Sequence, residues 1–181
     1  MPTVITHSAF ALAAGKAFSP EDVPKHFWLL SLFCSVIPDA DVVAFSFGIP
    51  YGHFFGHRGF FHSVFFGLLL SMFVVSVFFR TTKIFSKRWW FYLVYFLLLA
   101  ASHGIFDAFT NGGLGIALLS PFDDTRYFFP LRPILVSPIG ITQFISRWGL
   151  MTLKSELLWI WVPSLIVVVV SRLRHYNYRK G

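Results

Sequence analysis

Apolar residues in this chain come in long unbroken runs, not in the alternating or one-faced patterns of a water-soluble domain. Residues 60–79 and 89–109 form the cleanest runs, each close to the roughly 20 residues that cross a 30 Å hydrocarbon core at about 1.5 Å per residue. A shorter run, 157–171, is rich in Val, Ile and Trp, and two weaker ones, 27–37 and 4–18, are interrupted by polar residues. The pattern predicts about five membrane segments. From 111 to 156 it changes in kind: Asn111-Gly112-Gly113, Ser120-Pro121, Asp123-Asp124, Pro130, Pro133, Pro138 and Gly140 supply one turn signal after another, which predicts a non-spanning, irregular cap. No motif repeats at a fixed period. The expected architecture is all-α: a polytopic helical bundle forming a single membrane-embedded domain over residues 1–181.

Composition supports that reading. The chain is 56% hydrophobic, 20% aromatic and only 13% charged, with a mean hydropathy of +0.68, beyond what a soluble domain carries. Its lone cysteine, Cys34, excludes a disulfide framework or a Cys-rich metal site. The first segment lacks a basic start and places Lys16 after its apolar run, so it reads as retained and not as a signal peptide. Lys and Arg outnumber Asp and Glu by 15 to 8, but the cations cluster beside apolar runs, which fits membrane topology and gives no expectation of nucleic-acid binding.

Those clusters orient the chain. Arg80, Lys83, Lys87 and Arg88 lie between the two best segments, and Arg172, Arg174, Arg179 and Lys180 follow the last; both belong on the cytoplasmic side, with the C-terminus. His62 and His103 then stand roughly 23 to 27 Å from the nearest basic cluster, near the outer edge of the core. His7 sits only about 13 Å from Lys16 on the same count, which calls for a tilted or re-entrant first segment.

Ionisable residues within membrane segments cost roughly 2.5 to 3.5 kcal/mol each, so they call for partners. Thr6-His7 lies in the first segment, Pro38-Asp39-Ala40-Asp41 ends the second, His57-Arg58-Gly59-Phe60-Phe61-His62-Ser63 opens the third, and His103-Gly104-Ile105-Phe106-Asp107 ends the fourth. His103 and Asp107, four apart, share one helix face and suit one metal or two adjacent ones. His57 and His62 are five apart, a workable spacing if His57 sits on a loop released by Gly56 and Gly59. Asp39 and Asp41 point to opposite sides if extended, so one is expected to ligate and the other to orient a histidine. Taken singly, each residue is as readily a hydrogen-bonding partner between helices. Four histidines and three aspartates on one side of an apolar bundle are harder to satisfy that way. Imidazole and carboxylate without thiolate suit Zn²⁺ first, then Mn²⁺ or Fe²⁺, with room for one to three ions. Arg58 beside the cluster suits a phosphate or carboxylate oxygen, and equally reads as an interfacial arginine that anchors the helix. Glu156, facing the same side, is a further ligand or base, or, in the more ordinary view, pairs with Lys154 or is exposed to solvent.

The ordered set Thr6-His7, Pro38-Asp39-Ala40-Asp41, His57-Arg58-Gly59-x-x-His62-Ser63 and His103-x-x-x-Asp107 resembles the YdjM-like, LexA-regulated inner-membrane metal-dependent hydrolases, a family with a distant likeness to zinc-dependent phospholipase C. The resemblance covers most of the chain. It implies a location in the inner (cytoplasmic) membrane, phosphoester hydrolysis by a metal-activated water, and His7, Asp39, Asp41, His57, His62, His103 and Asp107 as ligands. The later His/Glu ligand pair of the phospholipases is absent here, leaving Glu156 as the only acidic candidate downstream, with Asp123-Asp124 set at a turn. Asp41, Arg58 and Glu156 are the residues expected to serve the reaction directly. A site set in the membrane favours a phospholipid or lipid-phosphate substrate. The rivals are a metal- or proton-binding transporter and a non-catalytic membrane protein. A transporter calls for polar residues reaching the cytoplasmic side, whereas both best segments are apolar in that half.

Overall fold

The computed structural model describes residues 1–138 and 140–180. Among them, regular structure is helical, and the only strand-like pairings are isolated bridges at Thr110–Ile134 and Ile116–Tyr127. The helices are α1 (Val4–Phe18), α2 (Lys25–Val36), α3 (Val64–Phe78), α4 (Lys87–Ala108), the single turn α5 (Ile141–Phe144), α6 (Arg147–Glu156) and α7 (Val162–Lys180). Pro38 ends α2 as a regular helix, and the chain tightens into 3₁₀ turns over Ile37–Phe47 until Gly48, at φ 73°, turns it out. Three helical stretches, Lys25–Phe47, Lys87–Ala108 and Arg147–His175, are long and apolar enough to cross a membrane; Val4–Phe18 and Val64–Phe78 are shorter apolar helices.

The bundle matches the predicted class, with two boundaries moved. The third helix begins at Val64, not at residue 60, because the Ser63 side chain accepts a hydrogen bond from the Phe66 amide and caps it there. Residues 60–62 form a separate 3₁₀ turn that carries His62. The cap is also shorter than 111–156. Its last ten residues are α6, which continues through one wider turn at Leu157–Trp161 into α7. At about 1.5 Å per residue the 29-residue stretch Arg147–His175 is roughly 44 Å long, well beyond a 30 Å core, so a helical end protrudes where sequence suggested loop.

Helix α3 packs on α4, α1 on α2 and α7, and α2 on α4. Their shared core is Ala11, Phe27, Cys34, Val74, Val75, Tyr92, Phe96 and Leu99. Buried in it, the Tyr95 hydroxyl lies 3.1 Å from the Ser31 hydroxyl and 3.2 Å from the Ala11 carbonyl, which ties α4 to α2 and α1. Leu165, Ile166, Val169 and Leu173 of α7 face outward, as lipid-facing positions do. At the basic end the Arg88 guanidinium donates to Asp22 at 2.6 Å and holds that exposed carboxyl below the usual carboxylate range. At the opposite end the start of α1, the end of α2, the approach to α3 and the end of α4 come together.

Candidate metal centre

That meeting point gathers His7, Asp39, Asp41, His57, Arg58, His62, His103 and Asp107, all buried. His7 rides on α1, whose first turn is capped by Thr3, and its ring stacks on His103 with centroids 3.8 Å apart. The depth problem at His7 therefore has an answer in helix offset. On helix rise Lys16 lies about 13 Å from His7, and Arg88 about 22 Å from His103. Lys16 is thus set deeper, with its ammonium 4.9 Å from the Trp28 ring. The 3₁₀ winding, unlike an extended strand, buries both Asp39 and Asp41.

Two overlapping groups result. In the first, Asp39, His62, His103 and Asp107 offer one atom each, all within 4.8 Å of one another; in the second, Asp41, His57 and His62 do the same. Their geometry differs. In the first, His103 Nε2 lies 3.2 Å from Asp39 Oδ1, His62 Nε2 3.5 Å from the same oxygen, and His62 Nε2 3.5 Å from Asp107 Oδ2. None of these atoms makes a hydrogen bond. Four N and O ligands at about 2.0–2.2 Å from a zinc ion stand roughly 3.3–3.6 Å apart in a tetrahedron, so these separations suit the edges of a metal site better than they suit hydrogen bonds. In the second group, His57 Nδ1 and Asp41 Oδ1 are hydrogen-bonded at 2.7 Å, and Asp41 Oδ2 accepts the Arg58 amide at 3.1 Å. Asp41 is thereby anchored, with Oδ2 3.1 Å from His62 Nδ1. On the far side of the first group the Ser35 carbonyl lies 2.8 Å from His103 Nδ1. His103 is thus held at Nδ1 by a backbone oxygen and leaves Nε2 free, the arrangement that orients metal-binding imidazoles, while His62 has the Asp41 carboxylate beside its Nδ1 without a hydrogen bond.

Unpartnered polar atoms test the fit. Among the described residues ten buried side-chain N and O atoms lack a hydrogen-bond partner, and nine of them belong to His7, Asp39, Arg58, His62, His103 and Asp107. Each such atom costs about 1–3 kcal/mol, more for carboxylates. A divalent cation balances two carboxylates and takes up the imidazole lone pairs, so the donor set fits one.

Arg58 closes the site from the loop side. It holds φ 65°, unusual for a residue with a side chain. Its amide is bound to Asp41 and its carbonyl accepts the Ala117 amide at 3.1 Å. The guanidinium donates to the Gly112 carbonyl at 2.6 Å and the Thr110 hydroxyl at 3.0 Å, while Nε faces Asp107 Oδ2 at 3.4 Å. Together with Met1, Tyr51, His57, Gly113, Val136, Ser137 and Trp148 it lines a cavity of about 280 Å³ beside the cluster. Tyr51 carried no signal in the sequence; its hydroxyl is pushed above the usual tyrosine range, chiefly by burial. Arg126 clamps the same loop, donating to the carbonyls of His57, Tyr51 and His53.

Glu156 does not join either group. Its carboxylate accepts from the Thr3 amide at 2.6 Å, the Thr3 hydroxyl at 2.7 Å and the Thr6 hydroxyl at 2.6 Å, in full burial. The expectation of a ligand, a base or an exposed Lys154 partner is corrected accordingly: both oxygens already bind the start of α1, and Glu156 anchors the helix that carries His7.

Close backbone packing sets the loop. A Cβ on Gly59 would stand 2.2 Å from the Phe54 carbonyl oxygen, and one on Gly104 2.5 Å from that of His62. Gly59→Ala must therefore shift the segment that carries His57, Arg58 and His62. We expect it to lower metal content in purified protein severalfold, and retention of full occupancy would count against this loop as the positioning element.

Fold and site together define a polytopic helical membrane protein with a buried His/Asp cluster that could hold a metal ion. The chain belongs to the YdjM inner membrane protein family, whose model matches residues 1–178. It is similar to the inner membrane protein YbcI of Escherichia coli (strain K12), 36% identical over 168 residues that cover 93% of this chain and 95% of that one. No solved structure matches it.

Proposed function

We propose that this protein is a membrane-embedded, zinc-type metal-dependent hydrolase that cleaves a phosphoester in a lipid or lipid-linked substrate. The observation that carries the reading is the concentration of unpartnered ligand atoms in one buried cluster beside a buried guanidinium. Asp39, His62, His103 and Asp107 are the ligands in this reading, with His7 Nε2, 3.7 Å from Asp107 Oδ1, as a further donor. Asp41 and His57 serve as positioning residues that hold the His62 ring. When bound, the ion would lower the pKa of a coordinated water toward neutrality and polarise the phosphoryl oxygen. Arg58 stands where a guanidinium can stabilise charge developing on that phosphoryl group. The ligand residues are buried among the helix ends, which strengthens each of these interactions. In this reading the site faces the outer side of the membrane and the C-terminus lies in the cytoplasm, as the basic clusters at the far end favour.

The test is turnover. Metal-loaded protein incubated with lipid extracts should release a phosphorylated headgroup or diacylglycerol detectable by mass spectrometry. Arg58→Lys, which keeps the charge but loses the planar fork, should retain its metal while hydrolysis falls by about 10²–10³-fold. Protein that binds metal yet turns over no lipid or soluble phosphoester would overturn the reading in favour of a transporter or a non-catalytic role.

A further inference from the structure

A second cavity flanks the cluster on the outer surface of the bundle. Between the 3₁₀ segment and the approach to α3 lies an apolar cleft of about 360 Å³, lined by Ile37, Ala40, Ala44, Phe47, Ile49, Phe55, Phe61 and Phe66, with Asp41 as its one ionisable residue. Its volume falls within the range of small-ligand sites. Phe47 and Phe55 are exposed, as is Ala40, whose small side chain leaves the groove open. An exposed apolar surface of this kind, at the end of helices long and apolar enough to cross a bilayer, suits contact with lipid.

The position of Asp41 gives the cleft its meaning. Asp41 stands between the cleft and the cluster, its carboxylate buried on the cluster side and bonded to His57 and to the Arg58 amide. His57 and Arg58 in turn line the 280 Å³ cavity on the other side. One pair of residues 2.7 Å apart, Asp41 and His57, thus separates an aromatic groove from a polar chamber. The chamber side carries two guanidiniums, Arg58 on its wall and Arg126 bonded to three carbonyls of the adjoining loop. An apolar groove backed, across that one buried pair, by two guanidiniums is complementary to one kind of molecule: a hydrocarbon chain joined to an anionic head.

We infer that the Phe47–Phe55–Phe61–Phe66 cleft receives the acyl chain of a phospholipid whose phosphate faces the buried cluster, so that substrate enters sideways from the bilayer. This rests on the hydrolase reading for its chemistry, but its test does not depend on turnover. The full-length protein is reconstituted in phosphatidylethanolamine vesicles with a trace of phosphatidylglycerol bearing a diazirine in the acyl chain. After photolysis the cross-links are mapped by mass spectrometry. The cleft segments, Ile37–Phe47 and residues 55–66, should be labelled about tenfold more per residue than the outward face of α7, roughly the preference that burying one apolar group confers. A diacylglycerol probe of the same chain length, lacking the phosphate, should label the cleft about tenfold less.

Ala44→Trp, which fills the groove without touching a ligand, should reduce cleft labelling by about tenfold with metal content unchanged. Ala40→Leu serves the same purpose if the larger change prevents folding. Equal labelling of the cleft and of α7 would mean ordinary boundary lipid and would overturn the inference, as would indifference to the phosphate or to the filled groove. The two readings separate cleanly. Metal-free wild-type protein with a labelled cleft would remove the hydrolase reading and leave a phospholipid site. Metal-bound protein with an unlabelled cleft would remove only the cleft.

Discussion

His103→Ala and Asp107→Ala, purified beside the wild type and analysed for metals, are each expected to lose most of their bound divalent ion. Both side chains are fully buried, and their ligand atoms face the same point as those of Asp39 and His62. Structural zinc sites bind with about 10–16 kcal/mol in all, so one of four ligands is worth roughly 10²–10³-fold in affinity. Asp107→Asn keeps the volume while removing the charge, so metal loss there separates ligation from packing. Asp107 also faces Arg58 Nε at 3.4 Å, and its removal leaves that cation without a carboxylate neighbour. Wild-type metal content in all three variants would sink the centre as drawn.

Glu156→Ala is expected to produce the largest loss of stability of any single substitution at this end of the bundle. Three hydrogen bonds to a buried carboxylate disappear, and the Thr3 amide and two threonine hydroxyls lose their acceptor. The Trp161 indole also donates to the Thr6 hydroxyl at 2.7 Å, so the disturbance reaches the junction with α7. Leaving such groups buried without partners costs about 3–5 kcal/mol. In a chain of this length that lowers the apparent Tm by about 10 °C, readable by thermal unfolding in detergent. Glu156→Gln separates anchoring from catalysis. An anchor loses thermal stability with the amide, because the charge that strengthens its three hydrogen bonds is gone and the new NH2 end needs both threonine hydroxyls to turn from donors into acceptors. A catalytic base would keep its Tm and lose only turnover.

Much of this was legible in the sequence because a bilayer forces backbone groups to be satisfied within each segment. Long apolar runs therefore had few alternatives to helix, and residues 89–109 became α4 within two residues at its start and one at its end. The spacing of His103 and Asp107 placed both on one face by helix geometry alone. Boundaries that depend on capping were less legible: the start of α3 rests on one side-chain hydrogen bond from Ser63, and the helix at Arg147–Glu156 is short, polar and preceded by turn residues.

Sequence alone determined that this chain lives in a membrane and that Asp39, Asp41, His62, His103 and Asp107 lie toward one end of the helices, because run length and helix rise are local properties. Only tertiary structure decided their roles. Asp39 and Asp41 are two residues apart and chemically alike, yet one faces His62 and His103 with both oxygens free of hydrogen bonds while the other is tied to His57 and Arg58. Glu156 carries the same carboxylate, but α1 packs its two threonines onto it. Whether a buried carboxylate is left for a metal or already satisfied depends on which donors the packing of distant segments brings within 3 Å, and no local pattern encodes that.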